Sequence, residues 1–360
     1  MSVPFAGMML ADLGADVVKV EPPKGDPFRR FGRPKAAMAA VFVNANRGKK
    51  SVVLDLKQST DRRQLGALLR DSDVVLSNWR PGVAARLGLG DDALAEINPR
   101  LIRVYVSGYG STGPDRDKPS YDSVVQARSG LTWAQGCDDK PTLAVGYLVD
   151  KMTATMAAQA TMAALYRRSV TGEGDAIEVP MLDVMAYLNF PEIFATRTFV
   201  DAEPVDARNR QMMANHPLEA IDGWIVLSPV SAEQIRAALT AVGHPEWAES
   251  VLAAPDGRDM TERLIERIES QTRSLTVAEC FARFDAHDVP VGHCLDLDEH
   301  LVDPQVRHNE LYEIVDHPQL GRVRQVRYPA RSRRWGTLRG GGLAPMLDAD
   351  REDVLKTSID

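Results

Sequence analysis

Asp150 stands where an apolar run, residues 143–149 (LAVGYLV), meets an Ala- and Met-rich stretch, residues 151–168 (KMTATMAAQATMAALYRR). That stretch has the texture of a long helix, and its small residues would allow close packing against a neighbour. It breaks at Thr171-Gly172-Glu173-Gly174. An aspartate at such a junction commonly caps the helix by accepting its first amides. The same position suits chemistry, because the helix dipole holds a carboxylate ionised and an ionised carboxylate can attack a thioester. The residues alone leave both roles open, and the two are compatible.

Residues 78–86 (NWRPGVAAR) follow a strand-like run and bring together an amide, a flat indole and two guanidiniums. Arginine takes phosphate oxygens bidentately and tryptophan stacks on a purine, although a turn with solvated arginines fits these residues as well. Gly108, Gly110 and Gly113 match GxGxxG after a strand. A dinucleotide fingerprint needs a helix to open at once, so that its N-terminus meets the pyrophosphate. Here Pro114 and residues 115–119 (DRDKP) follow and read as a loop. The glycines are therefore expected to shape a turn at the carboxyl end of the strand, where open α/β sheets bind ligands. His287 and His293 lack the HExxH arrangement, Ser107 and Ser111 lie in no GxSxG elbow, and Cys137, Cys280 and Cys294 form no CxxC pair. Neither a metal site nor a hydrolase triad is expected.

The elements that must position these residues alternate in type. Residues 17–21 (VVKVE), 51–56 (SVVLDL), 73–78 (DVVLSN), 101–107 (LIRVYVS) and 176–181 (AIEVPM) read as strands. Helical stretches are expected near 60–70, 91–96, 151–168 and 182–196. The alternation predicts an α/β fold with a parallel sheet covered by helices. Beyond about Val200 the texture changes, with a strand at 224–227, helices near 232–242, 260–270 and 277–286, and an apolar run at 289–291. The tail from His317 is rich in Arg, Pro and Gly, which suits an extended segment wrapping over other structure.

Composition narrows the class. The chain has 360 residues and a formal net charge of −7, which gives no support to nucleic-acid binding. An odd number of widely spaced cysteines suits a reducing cytoplasm, and no run reaches the length of a membrane helix. The N-terminus, MSVPFAGMML, lacks the basic lead of a secretory signal.

Several long runs, taken in order, carry a resemblance. They are LADLGADVVKVEPPKGDPFRR (10–30), NRGKKSVVLDLK (46–57), NWRPGVAARLGL (78–89), NPRLIRVYVSGYGSTGP (98–114), PSYDSVVQARSG (119–130) and RRSVTGEGDAIEVPMLD (167–183). The chain resembles the family III CoA transferases, the group that includes formyl-CoA transferase and the carnitine CoA transferases. The α-methylacyl-CoA racemases share that fold.

The resemblance implies a Rossmann-like large domain with a parallel sheet (residues 1–197), a linker (198–214), a smaller α/β domain (215–310) and a C-terminal segment (311–360) returning to the large domain. It also implies an interlocked homodimer. The substrates would be an acyl-CoA and a carboxylic acid, with coenzyme A as carrier and no metal or redox cofactor. Asp150 falls on the catalytic aspartate, which would pass the acyl group through anhydride and aspartyl-CoA thioester intermediates. Arg29, Leu54, Leu56, Lys57, Asn78, Trp79, Arg80, Arg86, Lys118 and Tyr121 fall on positions lining the CoA groove.

The racemase branch needs a His before the Asp of the first motif and a Glu from the small domain. This chain has Tyr121 before Asp122, and the Glu position falls near Ser231. Transferase is therefore expected over racemase, with a CoA-binding homologue without turnover as the other alternative. The family pattern starts one strand earlier, so either a start upstream of Met1 or a sheet short of one strand is expected. No glycine-rich loop appears around residues 212–218 (MMANHPL), which makes a formyl/oxalate pair less expected and His216 a candidate on the substrate side.

Overall fold

The computed structural model describes residues 1–80, 82–136, 140–201, 216–334, 336–337 and 341–356. Contacts divide the chain into two compact units, Met1–Pro191 with Glu310–Asp360, and Glu192–Asn309.

In the first unit five strands run parallel: β1 (Val17–Glu21), β2 (Lys49–Val53), β3 (Val74–Ser77), β4 (Ile102–Ser107) and β5 (Asp175–Pro180). They match the runs read from sequence to within a few residues. The expectation of one parallel sheet needs correcting, because the strands form two, β1–β2 and β3–β4–β5. A β-branched run specifies that a segment is extended, but it does not specify which strand lies beside it. Ile102, Val104 and Val106 point into the core, as their period of two requires.

Helix α1 (Ser2–Asp12) packs along the long helix α2 (Leu148–Thr171). Ala6, Gly7 and Ala11 on α1 are buried, as are Ala154, Ala157, Thr161 and Ala164 on α2. Side chains this small let two helices approach closely along their length. Gly172, at φ 83°, ends α2 in the left-handed conformation that favours glycine. The helix expected at 182–196 stops at Asn189, because Pro191 lacks the amide a helix needs and restricts the residue before it.

Glu21 at the end of β1 is buried, and the Arg29 guanidinium closes on it with bonds of 2.8 and 2.6 Å. Ser51 donates to the same carboxylate at 2.7 Å. Arg29 also donates to the Pro345 carbonyl and lies 3.9 Å over the Phe42 ring. The C-terminal stretch continues along β2: Asp350 accepts the Ser51 amide, Asp348 accepts the Val53 amide, and Arg351 donates to the Val53 carbonyl. Side chains thus occupy the ladder positions of a strand edge. Upstream of it, Tyr312–His317 and Gly321–Val326 form an antiparallel hairpin.

The second unit holds the antiparallel strands Leu218–Ala220, Gly223–Leu227 and Val291–His293. Ile225 and Leu227 share a core with Ile235 and Leu239 of helix Ala232–Ala241, Ile268 of Gly257–Thr272 and Phe284 of Val277–Asp285. Capping boxes at Ser231/Gln234 and Thr276/Glu279 start two of these helices.

Burial pushes the Glu21 carboxyl up, but Arg29, the Asp26 amide and Ser51 more than offset it and hold it below the ordinary glutamate range. A depressed folded pKa contributes stability above the unfolded value and loses it as pH falls through the folded value. Arg29→Met leaves that charge buried without its partner, so unfolding stability should drop by about 3–5 kcal/mol at pH 7. Denaturant titrations at decreasing pH should then show the gap to wild type closing as Glu21 protonates in both proteins.

Candidate active site

A groove of about 2120 Å3 is lined by residues of the first unit. All five residues of β1 and all four of β3 line it. Opposite faces of a strand cannot both turn to one cavity, so the cavity lies along the outer edges of these two strands. At the carboxyl ends it opens past the segments that follow β2, β3 and β4. Leu54, Leu56 and Lys57 come after β2, and Asn78, Trp79 and Arg80 after β3. Lys118 and Tyr121 come from the long connection after β4, and Asp150 from α2. Nine of the expected site residues therefore border one groove. Leu54 is a buried wall, whereas Trp79 is 38% and Tyr121 74% exposed. Lys118 pairs with Asp115 at 2.6 Å, and that contact with the Arg128 pair holds Asp115 below the usual carboxylate range.

Two expected residues lie elsewhere. Arg29 is not on the lining, because its guanidinium is buried against Glu21 and Pro345. Arg86, at the exposed end of the short helix Val83–Arg86, also falls outside it. His216 belongs to the second unit, with Nε2 3.9 Å from the Glu269 carboxylate. Residues 212–215, before it, lie outside the described residues, as does Cys137. Among the described residues no group of three His, Cys, Asp or Glu could hold a metal, and no helix is long and apolar enough to cross a membrane.

The loop after β4 bears on the glycine motif. A Cβ on Gly108 would come within 2.0 Å of the Ser120 hydroxyl, so glycine is required for this close approach. The next helix, α-helical from Asp122 to Arg128, starts well beyond Gly113. No helix opens directly from the glycines, as the dinucleotide fingerprint needs, and the Gly108 carbonyl instead accepts the amide of Leu182, in the first turn of helix Met181–Asn189, at 3.1 Å.

Asp150 lies in the first turn of α2, where sequence alone offered the N-cap. Tyr147 is the N-cap, and the helix starts early because Val149 is packed fully into the core. The Asp150 side chain is free of capping. Its Oδ1 accepts from the Ser2 amide at 3.1 Å and from the Ser2 hydroxyl. Its Oδ2 has no hydrogen-bond partner among the described residues. The Asp150 amide, one of the orphan donors of a helix start, goes to Asp122 Oδ2 at 2.9 Å.

Asp122 is itself buried and organised. Its Oδ1 accepts from Gln126 Nε2 at 2.7 Å, four residues on along the same helix. Gln126 then returns through Oε1 to the Ala144 amide at 2.9 Å, fixing the loop that leads into α2. Ser2, Asp122 and Gln126 were not singled out from sequence. The i, i+4 spacing of Asp122 and Gln126 was a readable signal for one shared helix face. Ser2 gave none, since its partner lies 148 residues away.

Behind Ser2, Lys49 is buried and donates to Pro4 O at 2.6 Å, Ala45 O at 3.0 Å and Asn46 Oδ1 at 2.8 Å. Burial, with the Lys19 charge adding, drives Lys49 well below the usual lysine range. Three oxygen acceptors around it still call for three N–H donors, the inventory of an ammonium.

Comparison with known proteins bears on this arrangement. Succinyl-CoA–D-citramalate CoA-transferase of Chloroflexus aurantiacus is 32% identical over 331 residues, spanning 89% of this chain and 82% of that protein. Acetyl-CoA:oxalate CoA-transferase of Acetobacter aceti is 34% identical over 302 residues, spanning 82% and 78%. Among solved structures, a CAIB/BAIF family protein from Brucella suis superposes with a TM-score of 0.84 at 26% identity, covering 99% of this chain and 96% of that one. Rv3272 from Mycobacterium tuberculosis superposes at 0.83 with 28% identity, covering 98% and 95%. The model of CoA-transferase family III matches residues 1–351. The chain belongs to CoA-transferase family III and is an enzyme of that family.

Proposed function

We propose that the protein moves CoA from an acyl-CoA to a free carboxylic acid through covalent intermediates on Asp150. One observation carries this reading: the carboxylate at the head of the groove is tethered at Oδ1 and unengaged at Oδ2. Oδ2 attacks the donor thioester carbon, breaking the C–S bond to give a mixed anhydride and CoA thiolate. The thiolate attacks Cγ of Asp150, and the donor acid departs with the bridging oxygen. The acceptor carboxylate then attacks the aspartyl-CoA thioester at Cγ and expels the thiolate. Attack of the thiolate on the acceptor carbonyl yields the new acyl-CoA and restores Asp150. The overall reaction exchanges one thioester for another, and each step passes an activated acyl bond on without a change of oxidation state.

Trp79, Arg80, Lys57 and Lys118 support the CoA end of this reading. An indole suits the adenine, and a guanidinium with two ammonium groups suits the phosphates. The relatives' names carry acids as different as oxalate and citramalate, so a panel of carboxylic acids with succinyl-CoA and acetyl-CoA as donors is the assay that selects the pair. A homodimer belongs to the same reading. Tyr166 and Val170 of α2 and Tyr187 of helix Met181–Asn189 are more than two-thirds exposed, an apolar surface that a partner chain would cover.

Asp150→Asn should lower kcat at least about a thousandfold while leaving CoA affinity nearly unchanged, because only the nucleophile is lost. Hydroxylamine added during turnover should convert Asp150 of the wild type, located by peptide mass spectrometry, to a hydroxamate. A label elsewhere, or full activity of the variant, would refute the mechanism. Arg80→Ala should raise KM for acyl-CoA roughly 10- to 100-fold with little change in kcat, the expected loss of a charge-assisted phosphate contact.

A further inference from the structure

We propose that Ser2 is a catalytic residue whose amide and hydroxyl together form the oxyanion hole for the carbonyl of Asp150 itself. The inference rests on the covalent route above and adds to it a group that stabilises two of its transition states.

The geometry distinguishes the two oxygens of Asp150. Both donors of Ser2 converge on Oδ1, the amide at 3.1 Å, and neither reaches Oδ2. When Oδ2 becomes the bridging oxygen of an anhydride, or is replaced by CoA sulfur, Oδ1 is the carbonyl oxygen that remains. Two of the four steps attack Cγ. In the first, CoA thiolate forms the C–S bond, Oδ1 takes the negative charge, and the charge returns as the Cγ–O bond breaks and the donor carboxylate leaves. In the second, the acceptor carboxylate forms a C–O bond, Oδ1 again carries the charge, and the C–S bond breaks to release thiolate. Charge develops on the atom to which the donors already point, and oriented donors in a partly closed site stabilise it without reorganisation. In the other two steps the charge develops on a substrate oxygen, and Ser2 instead holds the leaving or attacking carboxylate in place.

Ser2 is built into this position. It is 4% exposed, and as the first residue of α1 its amide has no acceptor within the helix. The helix N-terminus adds a fixed positive potential at the same point. Two residues on, the Pro4 carbonyl is gripped by the buried Lys49, whose other bonds go to Ala45 and Asn46. On the far side, the Asp122 carboxylate holds the Asp150 amide at 2.9 Å, which sets where Oδ1 lies. The two donors of Ser2 are thus carried by α1 and the backbone of Asp150 is held by Asp122, so donor and acceptor are positioned from different elements.

The test isolates one attack on Cγ. The enzyme is mixed with succinyl-CoA or acetyl-CoA without acceptor, the aspartyl-CoA adduct is captured by rapid gel filtration, and hydroxylamine is added. Hydroxylamine attacks Cγ and releases CoA thiol, which a chromogenic disulfide reports. In Ser2→Ala, which keeps the amide and loses the hydroxyl, CoA release should slow at least tenfold, with the loss of one oxyanion donor costing about a hundredfold or more elsewhere. Ser2→Cys, a weaker donor of similar size, should fall between. KM for acyl-CoA should stay within about twofold, since ground-state binding is spared. Release at the wild-type rate from the Ser2→Ala adduct would overturn the proposal, as would a variant that only melts earlier while its folded fraction reacts normally. Absence of any Asp150 adduct in the wild type would instead overturn the covalent route itself, and is read before either variant is made.

Discussion

One contact organises the site: the first turn of α1 meets the first turn of α2 through Ser2 and Asp150. A carboxylate at a helix start would ordinarily turn inward and cap its own amides. Here that role is taken by Asp122, reaching from a different helix to the Asp150 amide. The Asp150 side chain is released from local duty and its Oδ1 is engaged from outside. The proposed nucleophile needs this division, because a carboxylate that is wholly satisfied cannot attack, and one that is wholly loose has no fixed direction.

Holding two helix starts together demands close packing below them. The alanines and Gly7 along α1 and α2 permit it, and Lys49 locks the top of α1 to the helix that ends at Asn46. Gln126 performs the matching task on the other side by clamping the Ala144 amide ahead of α2. Both braces are buried polar groups whose neighbours satisfy them, which gives them direction at a cost their hydrogen bonds offset. The Glu21–Arg29 pair braces the carboxyl end of β1, and it enlists the C-terminal stretch through Pro345.

The correction at Arg29 shows how burial decides a role. A guanidinium near the carboxyl end of β1 could serve a phosphate or a glutamate, and the two uses exclude one another. Glu21 occupies the same face of the turn and meets the fork at 2.6 and 2.8 Å, so the cation is spent on structure. Lys57, Arg80 and Lys118 remain on the groove, alongside Lys19, Lys49, Lys50 and Arg116.

Much of the first unit was legible in the amino-acid sequence because its signals are local. β-branched runs mark the five strands, an Ala-rich run marks α2, Gly172 and Pro191 mark helix ends, and Gly108 marks a close turn. Asp150 was legible as a residue at a helix start beside an apolar run, and Asn78, Trp79 and Arg80 as a cluster following a strand, which the structure places on the groove. Three things depended on the tertiary structure. Strand pairing divides the parallel strands into two sheets, which no single strand encodes. The capping role passes from Asp150 to Asp122, 28 residues earlier in the chain. The partner of Oδ1 is Ser2, because only folding brings the two helix starts together. Residue type and spacing determine what a segment can be, whereas which donor meets which acceptor is decided by packing between segments far apart in the chain.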